Sequence, residues 1–318
     1  MSLYLQAHHL RKTYGSVVAL EDASLDVRQG EILALLGPNG AGKTTFIKIL
    51  ATLLIRDGGT VKVLGYDMDA DAEAIRHTVG YVGQDTERSA YARLTVRENL
   101  LFFGRLRGLT QSQIDVQIRK LSAQFDFDDN LDRQFVTLSG GQKQTAVIIR
   151  ALLHEPPLVY LDEPTKGLDP IVARRIRHFL RQLVRENGTS LLLTSHVLSE
   201  VDEMADRVAL IHRGRIPTIG TPFDLKAAVG ASDFIEIESA ALPDSVRTEL
   251  MALEPVLFEI ERDPQWVSLA VSDVMAGAEA IISVLRRNNV VAGFRQHSTT
   301  LEDAFLHHIG TITERFER

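Results

Sequence analysis

Apolar residues come in short runs over the first 36 positions. Leu3 to His8, Val17 to Leu20, Ser24 to Val27 and Ile32 to Leu36 are separated by turn signals at Gly15 and Gly30, and they read as strands. The last run ends on GPNGAGKTT, Gly37 to Thr45, and an amphipathic stretch, Thr44 to Leu54, follows. The order is strand, glycine-rich turn, helix. Thr60 to Leu64 and Val79 to Val82 read as further strands, with a short acidic helix at Ala70 to Arg76 between them. From Thr95 to about Phe127 the period becomes helical. Thr95 and Glu98 have capping-box spacing, Gly108 interrupts, and Ile114, Ile118 and Leu121 share one face of a second helix starting at Gln111. Arg88 to Phe135 thus reads as a helical insertion in an α/β core. Its Phe102, Phe103, Phe125 and Phe127 are assigned to packing, with a partner-facing surface as the alternative.

The pattern then returns to alternating helix and buried-type strand. A helix runs from LSGGQ, Leu138 to Gln142, to about His154, and the strand Leu158 to Leu161 follows. Gly167 to Pro170 is a turn, Ile171 to Glu186 a helix stopped by Gly188, and Thr189 to Thr194 the next strand. Val208 to Ile211 and Ile216 to Ile219 form a hairpin-like pair around Gly214, in which Pro217 suggests an edge strand. Lys226 to Gly230 closes a first domain, bounded at 1–228. Residues 229–318 restart a small α+β pattern: strands at Phe234 to Ile237, Val256 to Ile260, Val267 to Val271 and Val290 to Phe294, and helices at Ser245 to Leu253, Ala276 to Arg287 and Thr300 to Ile309. Leu301, Phe305 and Ile309 lie on one face of the last helix.

Composition sharpens this division. With 318 residues, 45% of them apolar, two filled cores are affordable. Residues 231–318 hold 15 acidic and 7 basic residues, a net −8 against −7 for the whole chain, so residues 1–230 carry +1. That balance disfavours nucleic acid as a partner. Without cysteine there are no disulfide or thiolate metal sites, and a reducing compartment is expected. The opening MSLYLQAHHLRKTYG has no signal-peptide core, and no run of 18 apolar residues occurs.

Candidate chemistry clusters at the loop and strand ends. Gly37, Gly40 and Gly42 let the backbone curl with N–H groups inward, alongside Asn39 and Ala41, and the loop ends on a helix N-terminus suited to a polyphosphate. Lys43 can reach the β and γ phosphates, the Thr44 hydroxyl can ligate Mg²⁺, and Thr45 completes the motif. Gln84, at a strand end, can ligate Mg²⁺ or hold water. Asp162 closes its strand as the Mg²⁺ candidate, and Glu163 is the general base or water orienter. His196 can bond the γ-phosphate or hold Glu163 and the water. Ser139 is an N-cap candidate whose helix start, with Gly140 and Gly141 uncovered, is a second anion-receptive site. Tyr14, in a turn before Gly15, can stack on a base or simply pack. His307 and His308 suggest no metal site.

In this order the motifs resemble an ATP-binding-cassette nucleotide-binding subunit, strongly over residues 1 to about 225. TTLEDAFLHHIG, Thr299 to Gly310, is similar to the daunorubicin-resistance type of exporter ATPase, in which an accessory domain follows the cassette. The resemblance implies a P-loop NTPase cassette with a β-rich N-terminal subdomain, bound ATP and Mg²⁺, and hydrolysis coupled to transport. It implies adenine stacking on Tyr14 and γ-phosphate contact from Ser139, Gly140, Gly141 and Gln142 of a second copy. It further implies that Asp169 crosses the dimer interface, that His196 acts as a switch, and that Gln84 senses the membrane partner. A separate polytopic permease, contacted by the helical insertion at the cytoplasmic face of the membrane, completes the picture. The cargo stays open among drug, antibiotic, lipid and polysaccharide. The rival reading is a soluble cassette ATPase without a membrane partner. Thr145 and Lys166 depart from the family pattern, which often has a basic residue at the first and a small or apolar one at the second.

Overall fold

The computed structural model describes residues 2–86, 89–231 and 233–316, without the side chains of 261 and 309–316. Arg88, the expected start of the insertion, and the side chain of Ile309 lie outside the described residues. The chain divides into two compact units, 1–219 and 220–318.

In the first unit, β1 (Leu3–Tyr14), β2 (Val17–Arg28), β4 (Gly58–Val63) and β5 (Tyr66–Asp67) form an antiparallel wing. They continue into the parallel strands β3 (Ile32–Leu36), β6 (Gly80–Val82), β7 (Leu158–Asp162), β8 (Ser190–Thr194) and β9 (Arg207–His212). With β10 (Arg215–Gly220), the order among the described residues is β5-β4-β1-β2-β10-β9-β3-β8-β7-β6. Strands β3, β7 and β8 are buried at every position, which is why they read as continuous apolar runs, whereas β1 and β2 alternate over much of their length. The core joins Leu5, Leu20 and Leu25 of the wing to Phe46, Ile47 and Leu50 of α1 (Lys43–Leu50) and to Leu33, Tyr160 and Leu192 of the parallel strands.

After the helix α2 (Ala72–Thr78), the insertion carries α3 (Val96–Leu106) and α4 (Gln111–Phe125), each opened by a full capping box, Thr95 with Glu98 and Thr110 with Gln113. Ile114, Ile118 and Leu121 are buried as their spacing requires. Phe125 and Phe127 are core residues too. Phe102 is instead exposed, edge-to-face with Tyr91 and with Phe103, whereas Phe103 shares the face of Val96, Asn99 and Leu100 and is half-buried, with the Arg150 guanidinium 4.5 Å from its ring centre. Then come α5 (Gly140–Leu152), α6 (Pro170–Asn187) and α7 (Leu198–Met204), the last unanticipated.

Other expectations are corrected. The runs at Val17 and Ser24 are one strand, whose register against β1 shifts several times, with His9 at φ 55°. Tyr14 ends β1 rather than lying in a turn. Strand β10 sits between β9 and β2 and is not an edge; its pairing with β2 is confined to Arg215 and Asp22, so Pro217 costs no ladder bond there.

The second unit begins earlier than the 228/229 boundary because α8 (Pro222–Ala227) packs against α11 (Leu301–Phe316), with Leu225 buried. A four-stranded sheet, β12 (Val256–Asp263), β13 (Trp266–Val271), β11 (Asp233–Glu238) and β14 (Phe294–Ser298) in that order, packs Ile235, Ile237 and Leu269 against α9 (Asp244–Met251) and α10 (Val274–Arg287). The expected strand at Val290 to Phe294 is displaced. The paired residues are the polar FRQHS, which lie along one edge of this sheet.

Candidate active site

The phosphate loop leaves β3 and enters α1 with no side-chain cap, since Gly42 stands at the N-cap position with φ 110°. By contrast α3, α4, α5, α6 and α10 each carry a side-chain cap. The first-turn amides of α1 are therefore left for a ligand. The turn tolerates no side chain at its ends: a Cβ on Gly37 would meet the Ile211 carbonyl at 2.2 Å, and one on Gly42 the Ala19 carbonyl at 2.5 Å. Lys43 Nζ donates to the carbonyls of Gly37 at 2.7 Å and Pro38 at 3.0 Å. Burial pushes its ammonium below the ordinary 10.5, and the Glu163 and Asp162 carboxylates pull it back up.

Around this loop the predicted residues converge from four strands. Asn39, Gly40, Gly42, Lys43, Thr44, Thr45, Gln84 and Glu163 line one cavity of about 260 Å³, together with Ala19 and Lys166. Asp162, fully buried at the end of β7, accepts from Thr44 Oγ1 at 3.4 Å and from Gln84 Nε2 at 3.3 Å through Oδ1, and Gln84 also donates to Thr44 Oγ1 at 3.1 Å. Thr194 was not foreseen as a site residue, yet it ties the two acids together. Its hydroxyl accepts from the Glu163 N–H at 2.9 Å and donates to Asp162 Oδ1 at 2.7 Å. Only its place at the end of a strand neighbouring β7 could have marked it. Glu163 takes φ 56°, and His196 Nδ1 donates to its Oε2 at 2.5 Å.

The arrangement fits Mg²⁺. Among the described residues Asp162 Oδ2 is buried without a hydrogen-bond partner, while Thr44 and Gln84, neutral side chains that each carry an oxygen, meet its Oδ1. These residues would hold the ion, which when bound bridges and neutralises phosphate oxygens.

Other predicted residues lie elsewhere. Tyr14 is 49% exposed, with Lys12 Nζ 5.7 Å from its ring, and it does not line the cavity. Ser139 and Gln142 complete the capping box of α5; a Cβ on Gly140 would meet nothing within 4 Å, whereas one on Gly141 would meet Val172 at 3.2 Å, so that helix start is open at Gly140 alone. Asp169 accepts from the N–H groups of Ile171 and Val172 as the N-cap of α6. Like Tyr14, none of these residues lines the cavity. Thr145 is buried on α5, its hydroxyl donating back to the Gly141 carbonyl at 3.0 Å.

A phosphate loop opening an uncapped helix, a carboxylate with a free buried oxygen and a second, histidine-held carboxylate define a Mg²⁺-dependent P-loop ATPase. The family model described as ABC transporter matches residues 20–166. The daunorubicin/doxorubicin resistance ATP-binding protein DrrA of Streptomyces peucetius is 34% identical over 303 residues, covering 95% of this chain and 91% of that protein. A solved ATP-binding subunit of an ABC transporter matches with a TM-score of 0.66 at 30% identity, over 71% of this chain and 93% of its own. A dimeric ATP-binding cassette in a post-hydrolysis state, bound to ADP and Pi, matches with a TM-score of 0.62 at 25% identity, over 68% and 98% of the two chains. The chain belongs to the ATP-binding and ATP-hydrolysing subunits of ABC transporters, alongside the daunorubicin/doxorubicin-resistance ATPases. Among the described residues no helix is long and apolar enough to cross a membrane.

Proposed function

We propose that this subunit powers export of a drug or antibiotic through a separate polytopic membrane protein, working as a peripheral homodimer on the cytoplasmic face. The name of its Streptomyces relative supports the cargo class, and the dimeric cassette supports the assembly. The observation that carries the catalytic part is the convergence of Thr44, Gln84, Asp162, Glu163 and His196 on the phosphate loop. Lys43 and the α1 amides hold the polyphosphate, Thr44, Gln84 and Asp162 hold the ion, and Glu163 orients and deprotonates the attacking water, with His196 fixing its carboxylate. Tyr14 stacks on adenine. A second copy brings Ser139, Gly140, Gly141 and Gln142 to the terminal phosphate and Asp169 to the interface.

Two phosphate-receptive helix starts in one chain, only one of which lines the cavity, support that division. Glu163→Gln should lower kcat by about 10²–10⁴-fold, the range of a general base, and trap an ATP-dependent dimer visible by size-exclusion chromatography. Adding Ser139→Trp should abolish the dimer while ATP still binds. Hydrolysis at the parental rate in Glu163→Gln would remove the role of Glu163, and a persisting dimer would remove that of Ser139. Co-purification of a polytopic membrane protein tests the partner.

A further inference from the structure

Glu163 is almost fully buried, and two basic side chains make their nearest approach to the same oxygen. His196 Nδ1 lies 2.5 Å and Lys166 Nζ 3.6 Å from Oε2. Local backbone geometry brings the lysine there. The Lys166 N–H donates to the Glu163 carbonyl at 3.2 Å, closing a turn through Pro164 and Thr165 that sets residue i+3 over residue i. Gly167 follows at φ 70° and lets the chain leave that turn toward α6. The turn is also held from outside, where Thr165 Oγ1 donates to Glu200 at 2.8 Å and Glu200 is paired with Arg177. Lys166 is thus an ammonium presented by a fixed turn to the wall of the phosphate cavity. Its side chain is 56% exposed against 3% for Glu163, so the lysine contributes little packing and its charge is the part that matters here.

We propose that Lys166 is a positioning residue for ATP hydrolysis: with His196 it clamps Oε2 of Glu163, which turns Oε1 toward the attacking water. The assignment rests on the reading of Glu163 as the water-directing group. It gives the departure at position 166 a purpose, because a small or apolar side chain would leave His196 as the lone holder of that oxygen. A lysine acting this way affects turnover and leaves nucleotide affinity alone, whereas a lysine bound to the terminal phosphate would alter both.

The test is steady-state ATPase kinetics of the full chain with Lys166→Met, Lys166→Arg and Lys166→Met combined with Glu163→Gln, alongside ADP binding and a thermal melt to confirm folding. Lys166→Met should lower kcat on the order of tenfold, less than the roughly hundredfold that a misplaced reacting group can cost, with KM for ATP within about twofold because uniform binding is untouched. Lys166→Arg should recover most of the rate. In the Glu163→Gln protein, single-turnover hydrolysis should be the same with Lys166 or Met at that position. A raised KM with unchanged kcat, or a loss that persists in Glu163→Gln, would overturn the proposal in favour of direct phosphate contact. Parental turnover in Lys166→Met beside an inactive Glu163→Gln would end the role of Lys166 and leave that of Glu163 standing. Parental turnover in Glu163→Gln would end both.

Discussion

Each unit of the chain holds two buried acids that work together, and the two pairs are treated in opposite ways. In the cassette, Asp162 and Glu163 sit side by side at the end of β7, and Asp162 Oδ2, fully buried, has no hydrogen-bond partner among the described residues. In the accessory unit, Glu236 of β11 and Asp303 of α11 are each 1% exposed, and their oxygens are taken up. Glu236 accepts from Arg295 and from Ser268 Oγ at 3.0 Å. Asp303 Oδ2 accepts from the N–H and hydroxyl of Thr300 at 2.8 and 2.6 Å, and Arg262 reaches its Oδ1 at 3.5 Å. An unmet buried carboxylate oxygen costs stability and persists where a ligand completes it; a saturated cluster is a fastening. The first pair is accordingly the one proposed as the reaction centre, and the second pins the start of α11 to its sheet.

Neutralising one acid of each pair is the most direct way to break this contrast. Asp162→Asn keeps an oxygen to accept from Thr194 and removes the charge meant for the ion. It should lower kcat by on the order of 10²–10³-fold, the scale of losing one preorganised electrostatic contact, and abolish the Mg²⁺ enhancement of ATP binding. Folding stability should change by less than about 1 kcal/mol. A strongly destabilised protein with an intact Mg²⁺ response would make Asp162 a fastening as well. Glu236→Ala should do the reverse. Leaving Arg295 and Ser268 without their acceptor should cost about 2–3 kcal/mol, below the full value of a broken buried pair because Arg295 is half exposed. Hydrogen exchange should quicken in β11 and α11, with ATP hydrolysis by the cassette retained.

The cassette pair was legible in the sequence and the accessory pair was not, for a physical reason. Asp162 and Glu163 close an apolar run of parallel-strand type, so position alone exposes them, and the glycines, caps and signature around them obey local rules that need few distant contacts. Glu236 sits in a strand that alternates apolar and acidic residues and resembles a half-solvated one. Its burial depends on Arg295, 59 positions away, in a strand so polar that its pairing left no apolar trace. Thr194 and the inner place of β10 were hidden in the same way, by partners distant in sequence. Tyr14 and the long β2 were misread where bulges interrupt the alternation.

The smallest expected effect is a pH dependence confined to the fastening. Burial pushes the Glu236 carboxyl up, but the bonds from Arg295 and Ser268 and the charges of Arg295 and His297 outweigh it, so the group ends below its ordinary value of 4.5. A carboxyl depressed in the folded state stabilises fully above its unfolded value and loses that contribution as pH falls through the folded one. The part of the β11 and α11 amide protection that depends on the Glu236 charge should therefore be present in full above the ordinary carboxyl range and decline below about pH 4.5, in step with protonation of Glu236. Glu236→Gln should begin less protected and show a shallower decline, since the titrating group is gone. Comparing the two proteins cancels the other carboxylates that titrate in the same window. Parallel pH profiles would mean that Glu236 is held by its packing and that its charge contributes nothing to the fastening.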